Sequence, residues 1–340
     1  MQKIAILCRP IVSILNEAQK MKATFEKYGC QADIINYTTT MFPFCKGGYD
    51  KMIFWAPYTG GEIAYLHRFW NPLFAKKAVS YYVIEGISET AYLQMQFLKK
   101  QYIVTPSFFA KECIELTGVE VKEVIPHQID ENMNVDDDFG KRWRSKYPKN
   151  KKLLVYIGNP IKRKGLLELR QAVEILSKKR NDFHVVIHTV NQPALQGYSI
   201  NLLRHPNITL ELEFGKIPKS QALAKMKYAD IYVQPSKGEG FGLPVLEALQ
   251  LGKPLVCINA PGVNEIATPE NSFMVEPYEF VTVNYYPSIQ FREANYHPED
   301  LADKIEEALD APKHIIEEKK QKGYETIKKF RNTYKRFIEI

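Results

Sequence analysis

The sequence has few of the features that mark secreted, metal-binding or membrane-spanning chains. Its 340 residues include only five cysteines, which are scattered without C-x-x-C spacing. This pattern argues against a disulfide framework and against a zinc knuckle. No window holds about eighteen uncharged apolar residues, and the N-terminus lacks the small-residue cleavage site of a signal peptide. The seven histidines show no H-x-x-x-H spacing on a predicted helix. We therefore expect a cytoplasmic protein without a metal ion.

The rest of the composition is that of an ordinary globular protein, with 45% hydrophobic and 25% charged residues. The chain is longer than one hydrophobic core usually serves, so two domains are expected. A formal charge of +7 favours anionic partners. Aromatic and basic residues do not interleave as in single-strand binders, so no nucleic acid is expected. The basic C-terminal pattern leaves peripheral contact with a membrane open, although packing of that segment onto the body is favoured.

Strand-like and helix-like segments alternate along the chain. This alternation starts with "KIAILCR" and the amphipathic "SILNEAQKMKATFEKYG", and it begins again at "KLLVYIGN" after a polar, charge-dense stretch at 130–152. It predicts α/β domains with parallel, doubly wound sheets. We expect one domain over 1–149, a second over 150–318, and a C-terminal helix over 319–340 that packs on the first domain. A ligand would bind outside the carboxyl ends of the strands.

One stretch, "PSKGEGFGLPVLEALQLGKPL" at 235–255, carries two carboxylates that need an explanation. Glu239 stands in the glycine-rich loop that leaves a strand, and Glu247 stands inside an apolar helix. Burying an unpaired charge costs several kcal/mol, so Glu247 needs a partner. A diol could be that partner, while the amides of residues 241–243 could bind an anion at the helix N-terminus. On spacing alone, a partly exposed Glu247 and a turn residue Glu239 remain an alternative.

The same stretch resembles the E-x7-E motif of retaining GT-B glycosyltransferases, particularly the large family 4. "YIGNPIKRKGL" and "LEFGKIPKSQALAKMKYADIYVQPS" are also similar to segments of that family. The resemblance is weakest at 1–75 and at 278–297, and we interpret the aromatic-rich second range as an insertion. The resemblance implies an α/β protein of the GT-B class, with two doubly wound Rossmann-like domains facing each other across a cleft.

The function that this resemblance implies is that of a retaining hexosyltransferase. It would move a sugar from a nucleotide diphosphate sugar, a UDP- or GDP-sugar, to a hydroxyl of a glycan, lipid or protein acceptor. No cofactor, metal ion or covalent nucleophile is implied. Two alternatives remain: a donor-binding protein that has lost transfer, and a nucleotide-sugar epimerase on the same architecture.

The resemblance also implies roles for individual residues. Glu247 would hold the donor ribose, and Glu239 would contact the sugar hydroxyls. Lys164 would meet the diphosphate, where its charge would stabilise the leaving group. The other donor contacts implied are mostly made by backbone groups, for sugar and phosphate at Gly240, Phe241, Gly242 and Leu243, and for the base at Gly215, Lys216 and Ile217.

The sequence departs from the family's pattern around the diphosphate. The family's glycine pair after the first strand is replaced by "CRPIVS", for which Gly60-Gly61 could substitute. Asn159 stands where the family has an arginine. Arg163 or Lys162 could supply the missing charge, or Arg9 could reach across the cleft.

A further departure is Glu85, which stands where the family has a histidine that bonds the donor sugar. The strand "AVSYYVI" should end there, and Gly86 should let the chain turn at once. We expect the Glu85 carboxylate to accept hydrogen bonds from sugar or acceptor hydroxyls and to act in catalysis. The alternative is a carboxylate that caps the helix beginning near "SETAYLQM".

Overall fold

The structure is a computed structural model that describes residues 1–38, 47–59, 61–63, 66, 74–88, 95–191, 199–286 and 289–340. The chain divides into two compact units. Unit 1 consists of Met1–Asp130, Thr282–Arg292 and Phe330–Ile340, and unit 2 of Glu131–Val281 and Glu293–Lys329.

Strands and helices alternate within both units, as the sequence pattern predicts. The strands of the described residues are β1 (Lys3–Cys8), β2 (Gln31–Asn36), β3 (Tyr49–Pro57), β4 (Ala75–Val83), β5 (Gly86–Ser88), β6 (Tyr102–Thr105), β7 (Glu123–Val124), β8 (Lys152–Ile157), β9 (Phe183–His188), β10 (Ile208–Glu211), β11 (Ile231–Gln234), β12 (Leu255–Ile258), β13 (Phe273–Val275), β14 (Glu279–Tyr286) and β15 (Ile289–Asn295). The helices are α1 (Val12–Lys27), α2 (Met95–Leu98), α3 (Phe108–Glu115), α4 (Asp137–Arg144), α5 (Leu166–Ser177), α6 (Lys219–Tyr228), α7 (Leu243–Gln250), α8 (Pro298–Asp310), α9 (Lys313–Ile327) and α10 (Arg336–Glu339). None of these helices is both long and apolar enough to cross a membrane.

Unit 1 is built on a parallel sheet with the strand order β2-β1-β3-β4-β6-β7. Successive residues of β1 and β3 contribute to two different core clusters, one containing Leu7 and Phe54 and the other Ile6 and Trp55. Both faces of the sheet are therefore covered, and this explains why the strands are apolar runs rather than alternating patterns. The strand order reverses between β1 and β3.

Unit 2 repeats this plan with the strand order β10-β9-β8-β11-β12-β13, again with parallel pairs. From β8 the chain moves outward through β9 to β10, and from β11 it moves outward in the other direction through β12 to β13. The order thus reverses between β8 and β11. The loops that follow these two strands diverge there and leave a crevice in which doubly wound proteins bind ligands.

The two units differ in extent from the predicted domains 1–149, 150–318 and 319–340. Residues 131–149, which were predicted to close the first domain, belong to unit 2. There the buried Trp143 of α4 donates from Nε1 to Glu211 Oε1 at 2.8 Å. The predicted C-terminal helix is also divided: α9 lies in unit 2, and only Phe330–Ile340 joins unit 1. Lys51 Nζ fixes that last segment by donating to the carbonyl oxygen of Phe337 at 2.6 Å.

The aromatic-rich range 278–297 forms the two strands β14 and β15, which the sequence pattern did not predict. β15 pairs antiparallel with β5 in a three-stranded sheet of order β14-β15-β5. This pairing corrects the expectation that the chain turns at Gly86, because Gly86 begins β5 and lies opposite Phe291. A Cβ atom at Gly86 would lie 2.1 Å from the carbonyl oxygen of Gln290, so the close strand pairing requires glycine.

Candidate functional site

The candidate site lies at the carboxyl ends of β8 and β11, where the strand order of unit 2 reverses. Two loops meet there, one after β8 that contains a single 3₁₀ turn, Lys162–Lys164, and one after β11. The backbone N–H of Lys237 donates to the carbonyl oxygen of Arg163 at 2.8 Å. Gly165 has φ +66°, and a Cβ atom there would lie 2.0 Å from the carbonyl oxygen of Pro235. Only glycine allows this approach of the two loops.

Glu239 is the centre of this arrangement. Its side chain is buried, and both carboxylate oxygens accept hydrogen bonds from Lys164 Nζ, at 2.6 and 2.7 Å. Arg163 Nη1 lies 3.2 Å from Oε2, and Gln234 Nε2 donates to Oε1 at 3.1 Å. Sequence reasoning brought Glu239, Lys164 and Arg163 to one site, and the structure places them in contact.

The charge state of Glu239 follows from these neighbours. Burial raises the pKa of the carboxyl group, but the charges of Lys164 and Arg163 outweigh burial and lower the pKa to about 2. The group is therefore ionised at neutral pH. A buried carboxylate is stable here because three donors replace the water that it has lost.

Gln234 is a residue of the site that sequence reasoning missed. It is buried at the end of β11, where its Oε1 accepts from the hydroxyl of Tyr232 at 2.7 Å and its Nε2 donates to Ser236 Oγ at 2.7 Å. The same Nε2 also bonds Glu239. The available signal was a polar residue at the carboxyl end of an otherwise apolar strand, "DIYVQ", where parallel strands present their functional groups.

Glu247 has a partner, and it is a lysine. Its side chain on α7 is buried, so the alternative of a partly exposed helix residue is wrong. Lys219 Nζ donates to Glu247 Oε2 at 2.7 Å and lies at the first position of α6. Sequence reasoning missed Lys219. A lysine at a helix N-terminus is unfavourable for the helix dipole, and this was the available signal for a nearby carboxylate.

The helix α7 begins at the same edge of the sheet as Glu239. Gly242 precedes it with φ +99°, and Pro244 lies in its first turn. Gly240, Phe241 and Gly242 are buried, and Leu243 is half-buried. The backbone groups predicted to contact sugar and phosphate therefore form the entrance of a helix that follows directly on the Glu239 loop, as an anion site requires.

Two other predicted positions differ in exposure. Asn159 is exposed directly after β8, where its carbonyl oxygen accepts from the hydroxyl of Tyr156 at 3.2 Å. Arg163 is buried, and its guanidinium binds the carbonyl oxygen of Gly238 as well as Glu239. Its described contacts are therefore with the protein's own loop. The predicted base-reading residues occupy the turn between β10 and α6, where Gly215 has φ +78°, Lys216 is exposed and Ile217 is half-buried.

Two candidate residues belong to unit 1. Glu85 is half-buried between β4 and β5, and its carbonyl oxygen accepts from the N–H of Arg292 at 3.4 Å. The proposed start of a helix near "SETAYLQM" lies outside the described residues. Arg9 forms an ion pair with the buried Glu62, which also accepts from the hydroxyl of Tyr37 at 2.5 Å. Arg9 is therefore paired within its own unit, but its side chain retains 32% exposure, so its contact with the diphosphate stays a prediction.

Gly60, the first residue of the glycine pair proposed as a substitute loop, lies outside the described residues. The residues that the structure describes contain no group of three or more His, Cys, Asp or Glu side chains that could hold a metal ion. At this edge unit 2 presents carboxylates, ammonium groups and the backbone amides at the start of α7. Such a set suits a ligand with both hydroxyl and phosphate groups.

The family described as "Glycosyl transferases group 1" matches residues 138–329, which contain the whole site of unit 2. A Bacillus subtilis (strain 168) protein named as a teichuronic acid biosynthesis glycosyltransferase, TuaC, is 27% identical over 176 residues. That match covers 51% of this chain and 42% of TuaC, so the chain matches less than half of that relative.

Two solved structures resemble the chain over nearly its full length. A glycosyltransferase from Rickettsia africae ESF-5 has a TM-score of 0.74 at 16% identity and covers 99% of this chain and 97% of its own. Anabaena Alr3699/HepE, solved in complex with UDP and glucose, has a TM-score of 0.68 at 14% identity, over 100% and 99%. At such identities the likeness concerns the fold alone. Together with the two parallel sheets, it confirms the predicted fold class, an α/β chain with two doubly wound, Rossmann-like domains of the GT-B type.

The low pKa of Glu239 predicts a pH dependence of stability. Because the folded pKa lies below the ordinary value of 4.5, Glu239 stabilises the protein above pH 4.5, and this contribution is lost as the pH falls through about 2. We expect the wild type to lose about 3 kcal/mol of unfolding free energy relative to Glu239→Gln over that window. Denaturant unfolding at a series of pH values measures it. In Lys164→Gln the loss should occur at higher pH, and equal pH slopes for wild type and Glu239→Gln would contradict the assignment.

Proposed function

Because the chain belongs to the glycosyl transferases group 1 family, we propose that it transfers a sugar from a nucleotide diphosphate sugar to an acceptor hydroxyl. One observation carries this proposal: Lys164 and Glu239 are in contact at the point where the strand order of unit 2 reverses. An ammonium group and a carboxylate at such a point match the diphosphate and the hydroxyls of the donor.

The diphosphate is proposed to bind between Lys164 and the N-terminus of α7. Lys164 retains 17% exposure of its side chain and Arg163 retains 4%, so Lys164 is the one of these two neighbouring cations that a ligand can approach more easily. Amides at the start of α7 add the positive end of a helix dipole. When the bond between the sugar and the diphosphate breaks, negative charge grows on the leaving phosphate. Lys164 stabilises that charge where it develops.

The sugar and the ribose are proposed to bind the two carboxylates. Glu239, fixed by Arg163 and Gln234, accepts hydrogen bonds from the sugar hydroxyls, and Glu247 accepts those of the ribose diol. Lys219 follows directly on the turn at 215–217, so the Glu247–Lys219 pair connects α7 to the turn that would read the base. The proposal thus gives each group of the donor, from sugar through diphosphate and ribose to base, its own contact in unit 2.

We propose the family-4-like mechanism, with the spacing of Glu239 and Glu247 as an E-x7-E motif and retention of the anomeric configuration. In this mechanism the departing phosphate oxygen assists the incoming hydroxyl, and no covalent intermediate forms on the protein. The description of HepE with UDP and glucose favours a UDP-sugar as the first donor to test. The name of TuaC favours a glycan among the acceptors.

A donor-binding protein without transfer is the second candidate. It is motivated by the site of Asn159, an exposed amide where the family has an arginine, and by Glu85 in place of a histidine. A site that lacks the cation of that arginine would still bind a diphosphate but would stabilise its departure less.

One assay separates these functions. The purified chain is incubated with UDP- and GDP-sugars and a panel of glycan, lipid-linked and peptide acceptors, and the release of UDP or GDP is followed together with binding by calorimetry. The proposal predicts acceptor-stimulated release and a product whose anomeric configuration, read by NMR, equals that of the donor. Binding without release would identify the donor-binding alternative, and a changed sugar without release would identify an epimerase. No binding of any donor would overturn the proposal.

Glu247→Gln should weaken binding of the nucleotide while the protein stays folded. Losing charge-assisted hydrogen bonds to the ribose should cost about 1.5–3 kcal/mol in affinity. Calorimetric titration with UDP and GDP measures the change, and thermal melting checks the fold. Glu317→Gln, on an exposed face of α9, is the matched control and should bind as the wild type does. Unchanged affinity in a folded Glu247→Gln protein would remove Glu247 from the site.

Glu85→Gln should lower transfer tenfold or more with little change in melting temperature. The proposed reason is that an ionised carboxylate accepts hydrogen bonds from hydroxyls, and typical acid–base contributions are about 10²–10⁴. Turnover per folded molecule is the measurement, and Glu120→Gln, which removes an exposed carboxylate of unit 1, is the control. Lower stability with normal turnover would show that Glu85 has a structural role instead.

A further inference from the structure

Three lysines at the candidate site already have anionic partners within the protein. Lys164 contacts Glu239 at 2.6 and 2.7 Å, Lys219 contacts Glu247 at 2.7 Å, and Lys237 contacts Glu168 at 2.6 Å. A diphosphate that binds one of these lysines meets a charge that a carboxylate already balances. If the phosphate takes the place of that carboxylate, it separates the pair.

Of these three pairs, Lys164–Glu239 is the one whose carboxylate has other donors among the described residues, Arg163 and Gln234. Lys164 is on the loop after β8, at the reversal point, and its side chain retains 17% exposure. Arg163 is held in place, because its guanidinium is buried and bound to the carbonyl oxygen of Gly238. Of these two neighbouring cations, Lys164 is thus partly exposed to solvent, and Arg163 is fixed to the protein.

Glu239 keeps partners when Lys164 leaves. Arg163 Nη1 at 3.2 Å and Gln234 Nε2 at 3.1 Å remain on the carboxylate, so no uncompensated buried charge results. The oxygen lone pairs that Lys164 releases become available to hydroxyl donors. The protein is therefore built to tolerate the separation of this ion pair.

We propose that Glu239 occupies in the free protein the position on Lys164 that the donor's diphosphate takes in the complex, so that donor binding exchanges one ion pair for another. This inference rests on the proposed function. The exchange couples two events: the diphosphate captures Lys164, and the freed side of Glu239 turns to the hydroxyls of the sugar. Because its pKa is low, Glu239 is ionised at neutral pH and competes there with the diphosphate for Lys164.

The exchange has a consequence opposite to that of an ordinary binding residue. If Glu239 competes with the diphosphate for Lys164, then removing its charge must strengthen the binding of a nucleoside diphosphate, even though transfer falls. A nucleoside without phosphate does not engage Lys164 and should show no gain. The gain should also vanish when Lys164 itself is removed.

The test is calorimetric titration of the full chain with UDP, GDP, uridine and guanosine. Glu239→Gln is expected to bind the diphosphate about tenfold more tightly than the wild type, a gain within the range of a charge-assisted hydrogen bond, with nucleoside affinity unchanged. In Lys164→Gln, adding Glu239→Gln should give no gain. Asp310→Asn is the control for net charge, because Asp310 pairs with Arg180 ahead of β9, at the amino edge of the sheet.

The outcomes separate this inference from the proposed function. Diphosphate binding by the wild type with equal or weaker binding by a folded Glu239→Gln overturns the exchange alone. A gain of the same size in Asp310→Asn, or in the Lys164→Gln background, also overturns it. Absence of UDP and GDP binding by the wild type overturns both proposals. If Glu239→Gln does not fold, Glu239→Asp is used. It shortens the side chain by one methylene and so weakens the contact with Lys164, and it too must bind the diphosphate more tightly.

Discussion

The contact between Lys164 and Glu239 is the interaction on which the rest of the site depends. A buried carboxylate is stable only when donors replace its lost water, and here the donors come from two places in the chain: Lys164 and Arg163 after β8, and Gln234 at the end of β11. This requirement draws the two loops together, and glycine at 165 follows because its Cβ would meet the carbonyl of Pro235. The need to provide donors for the Glu239 carboxylate thus accounts for the backbone conformation at Gly165, the contact between the two loops and the orientation of their side chains.

The same physical solution recurs at the second carboxylate. Glu247 is buried on α7 and is stabilised by Lys219 at the start of α6, so α7 and the turn at 215–217 are tied together. A carboxylate–lysine pair can replace one internal hydrogen bond by one to a ligand hydroxyl or phosphate. This exchange costs less free energy than leaving a buried charge unpaired. Two such pairs along one sheet edge give an array of donors and acceptors that suits a ligand with alternating hydroxyl and phosphate groups.

Sequence patterns predicted the strands, helices and loops that depend on neighbouring residues, and they missed several contacts that depend on tertiary structure. Parallel strands were predictable because runs such as "IAILC" are apolar throughout, and the Glu239 loop was predictable from its glycines and its place after a strand. Lys219 was missed because its contact with Glu247 joins two helices that are far apart in the sequence, and no period of the chain records such a contact. Gln234 was missed although its partners are close in the sequence, because an apolar strand pattern does not record what a polar side chain at its end contacts. The β14–β15 strands were missed because their register depends on pairing with β5, which also determines the role of Gly86. The helix α4 was assigned to the wrong side of the boundary because Trp143 binds Glu211 in unit 2.

The central claim is that the accessible charge of Lys164 receives the diphosphate of a nucleotide sugar. A crystal structure of the chain soaked with UDP or GDP tests it most directly. The account predicts that a phosphate oxygen lies at hydrogen-bond distance from Lys164 Nζ, that Glu239 has lost its bonds to that atom, and that Arg163 and Gln234 still hold the carboxylate. A nucleotide bound elsewhere in the chain would contradict the site, and a diphosphate bound beside an intact Lys164–Glu239 pair would contradict the exchange.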